Sequence, residues 1–202
     1  MKRLLLASIA LCVSGPAFAE TIAITGGKVI IGDGSAPIEG GTVLVRDGNV
    51  VAAGSGVAVP AGARQIDASG RWVTPGVFAG FTRLGLSEVD AVNGTNEKSG
   101  GNSGFSAAID IAPAIDPFRS PFAVNRSAGV TRAVVAPEAA NSIFAGQGAI
   151  ADLGADSDAI TKARAFQFAE FGEDGASKAG GSRAGTHLHF RAMLREAEDY
   201  AA

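Results

Sequence analysis

The chain has 202 residues, with 17 basic against 20 acidic side chains, two histidines, one cysteine and 28 glycines. No basic stripe appears and aromatic residues are only 6% of the chain, which argues against nucleic acid as a partner. The heavy glycine content points to tight turns and loops rather than long helices.

Residues 1–19 have the three parts of a secretory signal. Lys2 and Arg3 form a basic start, Leu4 to Val13 an apolar run, and Ala17 and Ala19 a small-residue end, so cleavage is expected between Ala19 and Glu20. The run is too short for a stable membrane anchor, and no later segment resembles a membrane span. Cys12 lies inside the apolar run behind bulky Leu11, which argues against a lipoprotein signal. Export to a periplasm, or secretion, is the expectation. The mature chain would then carry 15 basic and 20 acidic residues, a net charge of −5, and no cysteine. Without a disulfide or a thiolate, its stability must come from a packed core.

Residues 21–74 read as short strands. A strand is expected at Lys28 to Ile31, then two more at Thr42 to Arg46 and Asn49 to Ala53, joined by Asp47-Gly48. An Asp-Gly pair between β-branched runs is a hairpin signal, because both turn residues accept positive φ. "ARQIDASGRWVTPG" adds another strand and a Pro-Gly stop, giving a small antiparallel unit.

From Trp72 the pattern changes. "RWVTPGVFAGF" is apolar with little alternation, as expected of a strand covered on both faces. Residues 92–104 are polar and glycine-rich and read as a mobile loop. "SPFAVNRSAG" carries helix punctuation: Ser120 as N-cap, Pro121 in the first turn and Gly129 just past the end. A buried strand follows from Val130 to Val135, so this stretch predicts a βαβ unit of a parallel sheet. "NSIFAGQGAIADLG" predicts a hairpin or a loop-strand excursion. "THLHFRAMLREAEDYAA" predicts a helix, with Phe190, Met193, Leu194, Ala197 and Ala201 at helical spacing.

"GGKVIIGDGSAPIEGGTVLVRDGNVVAAG" followed by "IDASGRWVTPGVFAGFTRLGL" resembles the start of the amidohydrolase superfamily, in its imidazolonepropionase-like branch. "AGVTRAVVAP", "NSIFAGQGAIADLG" and "SRAGTHLHFRAMLREAEDY" resemble later landmarks of that branch in the same order. The resemblance implies an α/β fold: a (β/α)8 barrel beside a small β-sandwich. It also implies one or two divalent metals, zinc or another, that activate water against C–N bonds. The first two ligands in that family are an H-x-H pair at the end of the first barrel strand.

Here the matching positions hold Phe81 and Arg83. Phenylalanine has no lone pair, and arginine stays protonated and offers only donors, so the metal-ligand positions are vacated. Length departs too. A full barrel takes about 250 residues, and roughly half of that follows Trp72. The expected organisation is a signal over 1–19, the N-terminal part of a composite β-sandwich over 20–73, and the first strands and helices of an incomplete barrel over 74–202.

The two histidines, His187 and His189, imitate the missing pair. On a helix, however, residues two apart are rotated by about 200° and cannot share a metal; they read as ordinary helix residues. Arg83 reads first as the partner of a nearby carboxylate such as Glu88 or Asp90, and second as an anion-binding group. Asp110, Asp116 and Asp152 read as capping or solvated acids. The glycines of "NSIFAGQG" read as a plain turn, since the lysine of a phosphate loop is missing. No serine has a histidine in a plausible triad pattern, so no catalytic residue and no metal ligand is assigned.

The expectation is an exported, truncated, amidohydrolase-like chain with no bound cofactor and no hydrolysis of its own. The alternative is a pseudoenzyme module that binds a ligand or partner. Open sheet edges further predict self-association, or a second polypeptide that completes the barrel.

Overall fold

The computed structural model describes residues 20–202. The expected signal segment lies outside them. Two compact units divide between Pro75 and Gly76.

The first unit is one five-stranded sheet. It contains β1 (Thr21–Val29), β2 (Ile38–Arg46), β3 (Asn49–Gly54), β4 (Arg64–Asp67) and β5 (Trp72–Val73). The β2–β3 turn forms as the sequence predicts, with Asp47 at φ 50° and Gly48 at φ 74°. The unit is not purely antiparallel, however. β4 and β5 both run parallel to β1, because the chain crosses over after β3 and returns along the other side of β1. β1 is also longer than expected: it starts at Thr21 and absorbs Gly26-Gly27 as an irregularity in its register with β2. Ala23, Val29, Val43 and Leu44 are buried on this sheet. A second sheet layer, as a sandwich requires, is not among the described residues of this unit.

The second unit is built on a four-stranded sheet in sequence order: β6 (Val77–Thr82), β7 (Val130–Val135), β8 (Phe144–Asp152) and β9 (Ile160–Ala169). β6 and β7 are parallel and joined through α1 (Ser120–Ser127), so the predicted βαβ unit is present. The cap of α1 is Arg119 rather than Ser120, one residue earlier than expected. Gly129, at φ 93°, ends the helix connection as predicted. β8 and β9 continue as an antiparallel meander. The four strands form an open sheet, and no closed barrel is present among the described residues.

The core lies on the α1 side of this sheet. Phe122, Leu86, Ala133, Val135, Ala149 and Ala151 are fully buried there. The small residues of β7 and β8 let the helix ring of Phe122 approach the strands. β6 lies at the edge of the sheet and leaves Val77, Phe78 and Phe81 more than half exposed, which corrects the expectation of a strand covered on both faces. Gly146 and Gly148 also depart from expectation, since they lie inside β8 and not in a turn. A Cβ on Gly146 would meet the Ile109 carbonyl at 2.7 Å, and one on Gly148 would meet the Phe166 ring at 2.0 Å. Both glycines therefore permit close approach.

The segment 92–104 is irregular, as predicted, but tied down in its first part. It holds a 3-10 turn at Asn93–Thr95, and Arg119 donates to the Thr95 carbonyl and to Glu97 at 2.8 Å. After β9 come α2 (Glu173–Lys178) and α3 (Arg183–Ala201). Ser182 caps α3 by accepting from Gly185 N at 3.0 Å. Phe190 packs α3 between Phe144 and Phe171, with ring centroids 5.4 and 5.0 Å away. No helix among the described residues is long and apolar enough to cross a membrane.

Candidate functional site

A cleft of about 690 Å³ opens where the parallel strands β6 and β7 end, lined by Phe81, Arg83, Ser87, Asp90, Lys98 and Glu138, among others. In open parallel sheets the carboxyl ends of strands are where ligands bind, because the connecting loops diverge there. Thr82 fixes the local geometry. Its hydroxyl donates to the Val134 carbonyl at 2.8 Å and accepts from Leu84 N at 3.4 Å. With Thr82 held to β7, its neighbours Phe81 and Arg83 line the cleft.

Arg83 is the centre of this cleft. Its Nε lies 3.5 Å from Glu138 and its Nη2 3.5 Å from Glu170, so one guanidinium links the chain ends after β6, β7 and β9. The guanidinium also lies 5.4 Å from the centroid of the Phe81 ring. The expected partners were Glu88 or Asp90, and both are engaged elsewhere. Glu88 accepts from Ser120 N at 2.9 Å and from the Ser120 hydroxyl, at the start of α1. Asp90 pairs with Lys98 at 3.0 Å, and that hydrogen-bonded ammonium holds the Asp90 carboxyl below its ordinary range. Glu138 and Glu170 were not identifiable beforehand. Glu170 is 87 positions from Arg83, and no local motif marks either acid.

Arg83 Nε is buried in the cleft without a hydrogen-bond partner, and buried Ser87 Oγ lies beside Asp90 without a well-formed hydrogen bond, near enough to help Lys98 hold that carboxyl below its ordinary range. The Glu138 carboxylate lies 3.5 Å from Nε as an ion pair without a hydrogen bond.

The donor set does not fit a divalent metal. Phe81 offers no lone pair, Arg83 brings a fixed positive charge to the same place, and the nearest carboxylates face that charge. Among the described residues no three His, Cys, Asp or Glu side chains converge as a metal group would need. His187 and His189 lie on α3, and the His187 ring packs on Phe171 at 5.1 Å. Asp110, Asp116 and Asp152 accept from the backbone N–H two residues on, those of Ala112, Phe118 and Gly154.

No family model and no curated protein matches the sequence. Among solved structures, an amidohydrolase from Thermotoga maritima is similar at a TM-score of 0.77 and 21% identity, over 89% of this chain and 48% of its own. Molinate hydrolase is 41% identical over 34% of this chain and 15% of its own, with a TM-score of 0.31. The described residues thus share the fold of a solved amidohydrolase over most of their length, and this chain spans about half of that protein.

Proposed function

We propose that this chain is an exported amidohydrolase-fold protein of the imidazolonepropionase-like type that carries out no metal-dependent hydrolysis by itself. The single observation that carries this is Arg83 between Glu138 and Glu170. A guanidinium stands at the strand end where a metal-activated water would have to form, and its charge opposes a second cation there. The order of the sequence landmarks supports the branch, and the pattern of residues 1–19 supports export.

The test is elemental analysis and zinc titration of the purified full chain. No stoichiometric zinc is expected. Stoichiometric zinc that survives dialysis and is lost in a Glu138→Gln variant would overturn the proposal.

A second reading, a binding module, draws on Arg83 Nε, which makes an ion pair with Glu138 but no hydrogen bond, and on Ser87 Oγ beside Asp90, both lining the same cleft. Such groups gain free energy from a ligand oxygen that accepts from both. Thermal-shift measurements with small carboxylates and amides would show stabilisation that disappears in Ser87→Ala.

A further inference from the structure

The chain has six asparagines: Asn49, Asn93, Asn96, Asn102, Asn125 and Asn141. An asparagine is chemically vulnerable where its side-chain carbonyl carbon can meet the backbone nitrogen of the next residue. Five of the six are restrained against that approach. The side-chain amides of Asn49, Asn125 and Asn141 donate to the carbonyls of Asp47, Pro121 and Gly101, at 2.9, 2.8 and 3.3 Å. The Asn96 side chain accepts from Lys98 N at 3.1 Å. For Asn102 the attacking nitrogen itself is engaged, because Ser103 N donates to the Gly100 carbonyl at 3.1 Å.

Asn93 has neither restraint among the described residues. It is exposed, and neither its side chain nor Gly94 N makes a hydrogen bond there. Gly94 is exposed too, and a Cβ on it would meet nothing within 4 Å, so no neighbour shields the nitrogen. This is the single Asn-Gly step in the chain, and glycine leaves the backbone the widest choice of conformations for ring closure. The obstacle is the 3-10 turn over Asn93–Thr95, which must open first. It is one turn, closed by Thr95 N on the Val92 carbonyl at 2.9 Å and Asn96 N on the Asn93 carbonyl at 3.1 Å. Exposed short turns of this kind open locally at low cost.

We propose that Asn93 is a site of spontaneous deamidation to aspartate and isoaspartate, and that the isoaspartate loosens the Lys98 side of the cleft. Gly94 N gives its proton to hydroxide and attacks the Asn93 side-chain carbonyl carbon. The new C–N bond closes a five-membered imide, and the side-chain nitrogen leaves as ammonia with a proton from water. Water then adds at either imide carbonyl and opens the ring. Nothing is oxidised or reduced, and water is the one co-reactant.

Isoaspartate lengthens the main chain by one carbon just before Gly94, which displaces Thr95. The Thr95 carbonyl accepts from Glu88 N at 3.4 Å and from Arg119, and its hydroxyl accepts from Val89 N at 3.2 Å. Lys98 follows three residues later and reaches Asp90 at 3.0 Å. A displaced Thr95 carries Asn96 and Lys98 with it, so that pair weakens.

The test is storage of the folded full chain at mildly alkaline pH in heavy-oxygen water, then peptide mapping and isoaspartate-specific methylation. Parallel samples are the chain in urea, Gly94→Ala and Asn93→Gln. Gly94 is not left-handed and has open space, so alanine is accommodated. Heavy oxygen and isoaspartate should accumulate at residue 93, while Asn102 and Asn141 label in urea but not in the folded chain. Gly94→Ala should slow labelling at least about tenfold, since a Cβ beside the attacking nitrogen restricts closure. In stored wild type the Asp90 carboxyl midpoint should rise toward its ordinary value of 3.8, and in stored Asn93→Gln it should stay in place. Folded-chain labelling no faster at Asn93 than at Asn102 overturns the site, as does Gly94→Ala labelling at the wild-type rate. An unchanged Asp90 midpoint in isoaspartate-containing protein overturns the link to the cleft. Zinc content and ligand stabilisation are separate readouts, so this inference fails independently of the readings above.

Discussion

Phe81 and Phe168 meet with ring centroids 5.5 Å apart, although they belong to β6 and β9, the opposite edges of the four-stranded sheet. Three interstrand steps would separate these strands by about 14 Å in a flat sheet. The sheet therefore curls toward the side that carries these rings, and the aromatic pair spans the concavity. Two residues further along each strand, Arg83 and Glu170 repeat the same bridge with the same separation in sequence. The contact should contribute to stability in proportion to its partial burial. Phe168→Ala should cost about 1–2 kcal/mol, less than a fully buried phenylalanine. A Phe81→Ala, Phe168→Ala double-mutant cycle in urea should show a coupling of about 0.5–1.5 kcal/mol.

Arg83 joins the chain segments that follow β6, β7 and β9 through its two carboxylate partners. Arg83→Met would leave Glu170, whose side chain is only 12% exposed, without a cation. A destabilisation of about 1–3 kcal/mol is expected from thermal unfolding at neutral pH, discounted from a fully buried pair because Glu138 is half exposed. Adding Glu170→Gln to Arg83→Met should recover part of that loss, since no unpaired charge then remains. Arg83→Lys should fall between, because one ammonium cannot present donors to both carboxylates as the planar guanidinium does.

Much of the fold was legible in the sequence because its signals are local. Asp47-Gly48 specifies its turn through positive φ at both residues, and the Pro121 and Gly129 pair brackets α1 between two parallel strands. What failed depends on tertiary position. The apolar run of β6 looks the same whether a strand is central or at an edge, and only the strand order shows that it lies at the edge. β4 and β5 were misjudged as antiparallel because strand direction is set by a crossover, not by composition. At the site, the unusual residues Phe81 and Arg83 could be read directly. Their partners Glu138, Glu170 and Phe168 could not, since curvature of the sheet brings them there.

Gly175, in the short helix α2, has a tertiary reason for its identity. A Cβ at this position would lie 1.9 Å from the Glu170 carbonyl oxygen, and backbone cannot yield as a side-chain tip can. That carbonyl belongs to the residue that pairs with Arg83. Gly175→Ala should therefore destabilise the chain by about 1–3 kcal/mol, against the gain of about 1 kcal/mol normally expected for alanine in a helix. Gly172→Ala, whose Cβ meets nothing within 4 Å, should be close to neutral by the same unfolding measurement.

Asp90 and Lys98 give the cleft a defined response to acid. The Lys98 hydrogen bond, at 3.0 Å, lowers the Asp90 pKa from its ordinary value of 3.8. For a carboxylate whose folded pKa is depressed, the linked stability is fully present above the unfolded value. It is lost as pH falls through the folded value. The pair should thus hold unchanged near neutral pH and open only below about 3.8, where Asp90 takes up its proton. Asp90 is solvent-exposed, so added salt should weaken the shift. Carboxyl chemical shifts followed by NMR should place the Asp90 midpoint below that of an unpaired aspartate. In Lys98→Met the midpoint should move back up. If it does not, the ammonium is not what holds the Asp90 carboxylate in its ionised form.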